Sequence, residues 1–167
     1  MNLQDLKEMS AFRNDTEKAP RPTADVAILN MRFYAKELLQ NYSDYLAADV
    51  NSRLATVLLD AMKCNLNDYV QTFVDVASII AFTPSLTLKS LVTETVTKLK
   101  LTGSERAWAE FLVRRNEMIY DYLSRDFLNG ELCAALKQHS SAVMTLVECL
   151  EREIRMQNLQ DVRVRRR

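Results

Sequence analysis

A shortage of turn-forming residues is the feature of this sequence that most limits its fold. The 167 residues include only two glycines, Gly103 and Gly130, and three prolines, Pro20, Pro22 and Pro84. Sheet-rich domains need many tight turns, and those turns are built largely from glycine and proline. The scarcity therefore favours a few long helices joined by short connections. A chain of this length forms one ordinary domain and can bury a hydrophobic core without disulfides or metals.

Apolar residues recur three and four positions apart along most of the chain, which is the spacing of amphipathic helices. Ile28, Met31 and Ala35 begin one such stripe. Helices are predicted over about 23–48, 51–82, 85–99, from 104 to a break at 129–130, and 131–156. Because an amphipathic helix is unstable alone, these helices must pack together. The sequence therefore predicts an all-α fold, an antiparallel bundle of about five helices.

Local signals predict where the helices are interrupted. Pro84 ends the second helix, because the residue before a proline avoids helical geometry. A turn at 102–104 follows the third helix, with Ser104 as the cap of the fourth. A second break is expected at 129–130, and the polar stretch 63–68 favours a kink or a break within the second helix.

Three regions of the chain differ in composition: a flexible polar leader, a helical domain and an Arg-rich tail, over 1–23, 24–157 and 158–167. Within the leader, Leu3, Leu6 and Met9 are placed to form a short docking turn. The tail has two interpretations. It is either a solvated, frayed terminus or an electrostatic tether for RNA or an acidic partner.

Overall charge, apolar run length and cysteine spacing give no sign of a nucleic-acid-binding, membrane-spanning or zinc-binding protein. The 22 basic and 22 acidic side chains balance, so net charge demands neither a nucleic acid nor a membrane. No apolar run approaches the roughly 20 residues needed to span a bilayer. Cys64, Cys133 and Cys149 form no zinc pattern, and their odd number fits a reducing cytoplasm. With widely spaced cysteines, one histidine and no glycine-rich phosphate loop, neither a metal nor a cofactor is expected.

Arg115 is the most unusual residue of the fourth predicted helix. At 100° per residue it falls in the middle of an apolar stripe made of Trp108, Phe111, Leu112, Ile119 and Tyr122. A guanidinium that is buried without a partner is costly. Arg115 must therefore either pair with a carboxylate inside the bundle or line a cleft that admits an anion such as phosphate.

The segment 108–122, WAEFLVRRNEMIYDY, resembles the HEPN signature of HepT-like proteins and nucleotidyltransferase substrate-binding proteins. That signature is arginine, four residues that often begin with asparagine, histidine, any residue, and tyrosine. Arg115, Asn116 and Tyr122 match it, whereas Tyr120 stands in place of the histidine. The similarity extends over roughly 52–151.

The resemblance implies a function. In that family the helical domains form homodimers in which two motifs face one cleft, the arginine holds an RNA phosphate, and the histidine assists attack by the 2′-hydroxyl. Many members are toxins controlled by a nucleotidyltransferase antitoxin, which in some pairs adds AMP to the motif tyrosine. The resemblance thus implies a component of a toxin–antitoxin or defence pair that binds RNA or its partner through Arg114, Arg115, Asn116 and Tyr122, with Tyr122 as the AMP acceptor.

Tyr120 changes what the motif is able to do. A phenol titrates near pH 10, so it is a poor general base at neutral pH, and lost or weakened ribonuclease activity is expected. Two alternatives stay open. The protein is an active metal-independent endoribonuclease that uses Arg115 with Tyr120 or with His139, the one histidine of the chain. Otherwise it is a non-enzymatic helical adaptor in which Arg115 forms an internal ion pair. His139 itself is either a satisfied core or interface residue or a catalytic histidine that reaches Arg115 across the bundle.

Overall fold

The structure is a computed structural model that describes residues 23–81, 87–120 and 125–165, without the side chains of 116–120, 125–128 and 159–165. These ranges contain five α-helices and no strand. The helices are α1 (Ala24–Ala47), α2 (Arg53–Ala81), α3 (Leu88–Lys98), α4 (Gly103–Tyr120) and α5 (Arg125–Arg165). The predicted all-α helical bundle is confirmed. The leader up to residue 22 and the break at Pro84 lie outside the described residues.

The second helix runs without the interruption that its polar stretch predicted. α2 is continuous through 63–68 because the apolar stripe continues beneath the polar side chains. Met62, Leu66 and Tyr69 are all buried at this point. Lys63 forms an ion pair with Asp60 at 2.7 Å on the outer side. The polar stretch is therefore the solvent face of one long helix.

The predicted turn at 102–104 is present, but the predicted break at 129–130 is wrong. Gly103 has a φ of +56°, in the left-handed region that glycine tolerates best. Gly130 instead lies inside α5, where the buried Leu132 and Leu136 follow it. The departure from helical geometry in α5 comes later, at His139, with φ −130° and ψ 19°. Burial of the apolar stripe keeps Gly130 helical despite its weak helix propensity.

Replacing Gly130 by alanine is expected to stabilise the protein by about 1 kcal/mol, because glycine costs that much relative to alanine inside a helix. A Cβ atom at this position meets nothing within 4 Å, so no clash offsets the gain. Denaturant unfolding followed by circular dichroism measures the difference. A lower free energy of unfolding in the variant would mean that α5 does not continue through this position.

The core is centred on a hydrogen-bonded pair of large aromatic residues. Tyr69 of α2 and Trp108 of α4 are fully buried. The Trp108 indole N–H donates to the Tyr69 hydroxyl oxygen at 3.3 Å, and that hydroxyl donates to the Val143 carbonyl of α5 at 3.0 Å. Trp108 also stacks on Phe111, with ring centroids 5.3 Å apart. This pair joins α2, α4 and α5 and fixes the orientation of α4.

Burial of neutral groups makes the fold sensitive to alkali. Desolvation raises the pKa of Tyr69, Tyr42, Cys133 and Cys149. The stability contributed by these groups is complete below their unfolded pKa values, 9.0 for cysteine and 10.0 for tyrosine. It is lost as the pH rises from those values through the higher pKa values of the folded state. We therefore expect the free energy of unfolding to fall above about pH 9. Urea titrations across this range measure it, and a value that rises with pH would contradict the assignment.

Candidate functional site

Arg115 lies on the inner side of α4, as its place in the apolar stripe predicted. It follows Phe111 and Leu112, which are 5% and 0% exposed, by one turn of helix. The Arg115 side chain itself is half-buried. Burial lowers the pKa of the Arg115 guanidinium, because removing water disfavours its charged form. An arginine nevertheless stays protonated at neutral pH, so the site carries a partly desolvated positive charge.

The arginines of α4 differ in their partners. Arg106 pairs with Glu110 at 2.8 Å, and Arg114 pairs with Glu131 of α5 at 2.9 Å. Within the part of the chain that the structure describes, no carboxylate or carbonyl oxygen pairs with the Arg115 guanidinium. The adaptor hypothesis predicted an internal ion pair for Arg115, and the described residues do not provide one.

A buried amide lies at nearly the same height along the helix axes as Arg115. The side-chain oxygen of Asn129 on α5 is buried and has no hydrogen-bond partner among the described residues. The Arg114–Glu131 ion pair identifies the turns of α4 and α5 that lie side by side. Asn129 and Arg115 are each within two residues of that pair, or roughly 3 Å along the helix axes. A half-buried cation without an acid and a buried amide without a donor therefore occupy one end of the α4–α5 interface.

A groove of about 550 Å³ runs between α4 and α5 next to this end. It is lined by Ala107, Glu110, Phe111, Arg114, Glu131, Ala134, Ala135, Gln138 and His139. The Arg114–Glu131 ion pair joins its two walls, and the Arg114 guanidinium carbon lies 5.9 Å from the centre of the Phe111 ring. The lining combines three alanines and the Phe111 ring with charged and amide side chains. This combination suits a flat ligand with polar edges.

His139 occupies the far end of the groove. It lies at the kink of α5, and its Nδ1 is 3.1 Å from the Ser104 hydroxyl oxygen. α4 begins at Gly103, so Ser104 lies inside the first turn. Its hydroxyl binds His139 and is not the predicted helix cap. Ser104 and Arg115 are separated by roughly 16 Å along α4. The structure thus brings His139 together with Ser104 and the groove, and not with Arg115.

The other predicted site residues are only partly described. Asn116 and Tyr120 belong to α4, but their side chains are outside the described set, and Tyr122 lies outside the described residues altogether. The roles assigned to these residues remain predictions. The sequence placed Asn129 at a predicted break and Glu131 at the start of a predicted helix, but it indicated neither as a site residue. Neither residue has a local signal, because each is defined by how α5 packs on α4.

Comparison with known proteins gives no relative for this chain. No protein-family model, no curated protein and no solved structure matched it. The similarity to the HEPN signature therefore rests on the motif residues themselves.

Among the described residues, no cluster of histidine, cysteine, aspartate and glutamate has the arrangement of a metal site. None of the described helices combines the length and apolar character that crossing a bilayer requires.

Proposed function

We propose that this protein is a HEPN-like component of a toxin–antitoxin or defence pair that binds single-stranded RNA at the α4–α5 interface. Arg115 holds a backbone phosphate, and the adjoining groove accepts a base. Bound RNA is not cleaved, or is cleaved only weakly.

The observation that carries this proposal is the half-buried Arg115 guanidinium without an acidic partner among the described residues. Partial burial of an unpaired cation is unfavourable, and an anion from outside the protein offsets that cost. Arginine presents a planar fork of donors that matches two oxygens of one phosphate. The neighbouring Arg106 and Arg114 are neutralised by Glu110 and Glu131, so the site has one available cation among the described residues.

The groove fits the base that accompanies such a phosphate. Sequence-specific proteins bind unpaired RNA bases by stacking and by hydrogen bonds to their edges. The Phe111 ring offers a surface on which a flat ring stacks. The Glu131 carboxylate accepts from exocyclic amines, and the Gln138 amide has both a donor and an acceptor.

Weak or absent cleavage follows from where the titratable groups lie. A tyrosine at position 120 is a poor base at neutral pH. His139 is hydrogen-bonded to Ser104, roughly 16 Å along α4 from Arg115. The active-ribonuclease alternative needs one of these groups beside the phosphate that Arg115 holds.

The homodimer, the nucleotidyltransferase partner, AMP transfer to Tyr122 and a cytoplasmic location belong to the same proposal. Their support is the resemblance of segment 108–122 to the HEPN signature. A small nucleotidyltransferase encoded beside this gene, and its co-purification with the protein, are the observations expected from such a pair. A gene neighbourhood without a nucleotidyltransferase would count against this part of the proposal.

A single experiment tests binding and cleavage together. Fluorescein-labelled single-stranded RNA is mixed with the purified protein, its anisotropy is recorded, and the recovered RNA is run on a denaturing gel. We expect saturable binding that weakens as salt rises, because phosphate contacts release counterions, and full-length RNA on the gel. Absence of binding at low salt would reject RNA as the ligand. Cleavage that disappears in Arg115→Met would establish the active ribonuclease instead.

A further inference from the structure

The outer face of α1 is apolar over the first half of the helix. Val26, Leu29 and Phe33 are 45%, 64% and 57% exposed. Their spacing of three and four residues places them on one side of the helix. The opposite side carries Met31 and Ala35, which are fully buried in the core. A helix that is apolar on both sides is normally covered on both sides, so we expect another segment or protein to bind this outer face.

A shallow groove of about 220 Å³ between α1 and α5 adjoins this face. Leu29 contributes to both the groove and the outer face. Arg32 of α1 and Arg155 of α5 both pair with one carboxylate, that of Glu151. One acid shared by two guanidiniums leaves donors for a further carboxylate. The occupant of this surface is therefore expected to carry apolar side chains together with acidic ones.

The leader of this chain contains both apolar and acidic side chains, and its last residue adjoins α1. It joins α1 at Thr23, one turn before Val26. Leu3, Leu6 and Met9 are spaced three residues apart, and the acidic Asp5 and Glu8 alternate with them. Phe33 lies only about 15 Å along α1 from its first residue. A connection over 10–22 spans more than twice that distance when extended, at roughly 3.3 Å per residue.

We propose that the leader segment 3–9 folds back and docks on the outer face of α1, so that Leu3, Leu6 and Met9 cover Val26, Leu29 and Phe33. The docking is intramolecular. A short tether gives effective concentrations in the millimolar range, which favours the protein's own leader over a second copy at ordinary protein concentrations.

Limited trypsin digestion of the full-length protein tests this proposal. Docking protects Lys7, the cleavage site within the segment, whereas Arg13 lies in the connection and serves as the unprotected reference site. The double variant Leu29→Ser/Phe33→Ser removes the docking surface, and we expect cleavage at Lys7 to become several-fold faster. The matched control is Leu54→Ser/Val57→Ser on α2, whose wild-type side chains are 58% and 54% exposed. The control is expected to be cleaved at the wild-type rate.

Equal cleavage rates in wild type and both double variants would overturn the proposal. So would light scattering that shows a wild-type dimer dissociated by Leu29→Ser/Phe33→Ser at an unchanged cleavage rate, since a second copy would then cover the face. The leader variant Leu3→Ser/Leu6→Ser keeps the test valid if the α1 variant fails to fold, because it alters no residue of the bundle. Faster cleavage at Lys7 relative to Arg13 in that variant supports docking, and an unchanged ratio overturns it.

Discussion

Replacing Tyr69 by phenylalanine is expected to lower the free energy of unfolding by about 2 kcal/mol, because a buried donor left without an acceptor costs roughly 1–3 kcal/mol. The variant keeps the ring but removes the hydroxyl that accepts from the Trp108 indole at 3.3 Å and donates to Val143 at 3.0 Å. Both residues of the pair are fully buried, so water does not replace the lost bonds. Chemical denaturation followed by far-UV circular dichroism measures the loss.

A double-mutant cycle separates the hydrogen bond from packing. Trp108→Phe removes the indole donor, so adding Tyr69→Phe to it is expected to cost about 1 kcal/mol less than Tyr69→Phe costs in the wild type. Tyr34→Phe on α1 serves as the control, because Tyr34 is only half-buried. Its expected effect is within about 0.5 kcal/mol. A cost for Tyr69→Phe as small as that of the control would show that the core pair is not formed.

Replacing Arg115 by methionine is expected to weaken RNA binding at least tenfold, equivalent to about 1.4 kcal/mol. Methionine keeps an unbranched apolar stem on the inner side of α4 and removes only the cation. Loss of one phosphate contact also reduces the slope of log affinity against log salt by about 0.7 for a single strand. Anisotropy titrations at several salt concentrations measure both quantities.

The free energy of unfolding distinguishes a ligand-binding role of Arg115 from a structural role. If Arg115 serves a ligand, Arg115→Met leaves the free energy of unfolding unchanged or raises it, because it removes a partly desolvated charge that lacks a partner among the described residues. Arg53→Met at the exposed start of α2 is the matched control. An equal loss of RNA affinity in both variants would show non-specific attraction. A marked destabilisation by Arg115→Met would indicate an internal structural role.

The helices and the core were largely predictable because their signals are local. α1 and α2 begin and end within a few residues of the ranges that apolar spacing predicted. The same spacing placed Arg115 on the inner side of α4, where the structure has it half-buried. Periodicity reports which side of a helix is buried, and burial of that side is what stabilises a bundle.

The features that the sequence did not predict depend on contacts between distant residues. Glycine and asparagine at 129–130 suggested a break, yet packing of α5 keeps this stretch helical. The kink instead lies at His139, whose partner Ser104 is on another helix. The groove and the Arg114–Glu131 pair likewise arise from how α4 meets α5. No local pattern contains that information.

The central claim is that the Arg115 guanidinium binds an RNA phosphate, and its own NMR signal tests this most directly. The Nε–H cross-peak of Arg115 is assigned by its absence from the spectrum of Arg115→Met and is then followed while a short single-stranded RNA is added. We predict that this peak shifts and saturates with the dissociation constant found by anisotropy. The claim is contradicted if the Arg115 peak stays in place while those of Arg152 and Arg155, on the exposed surface of α5, move instead.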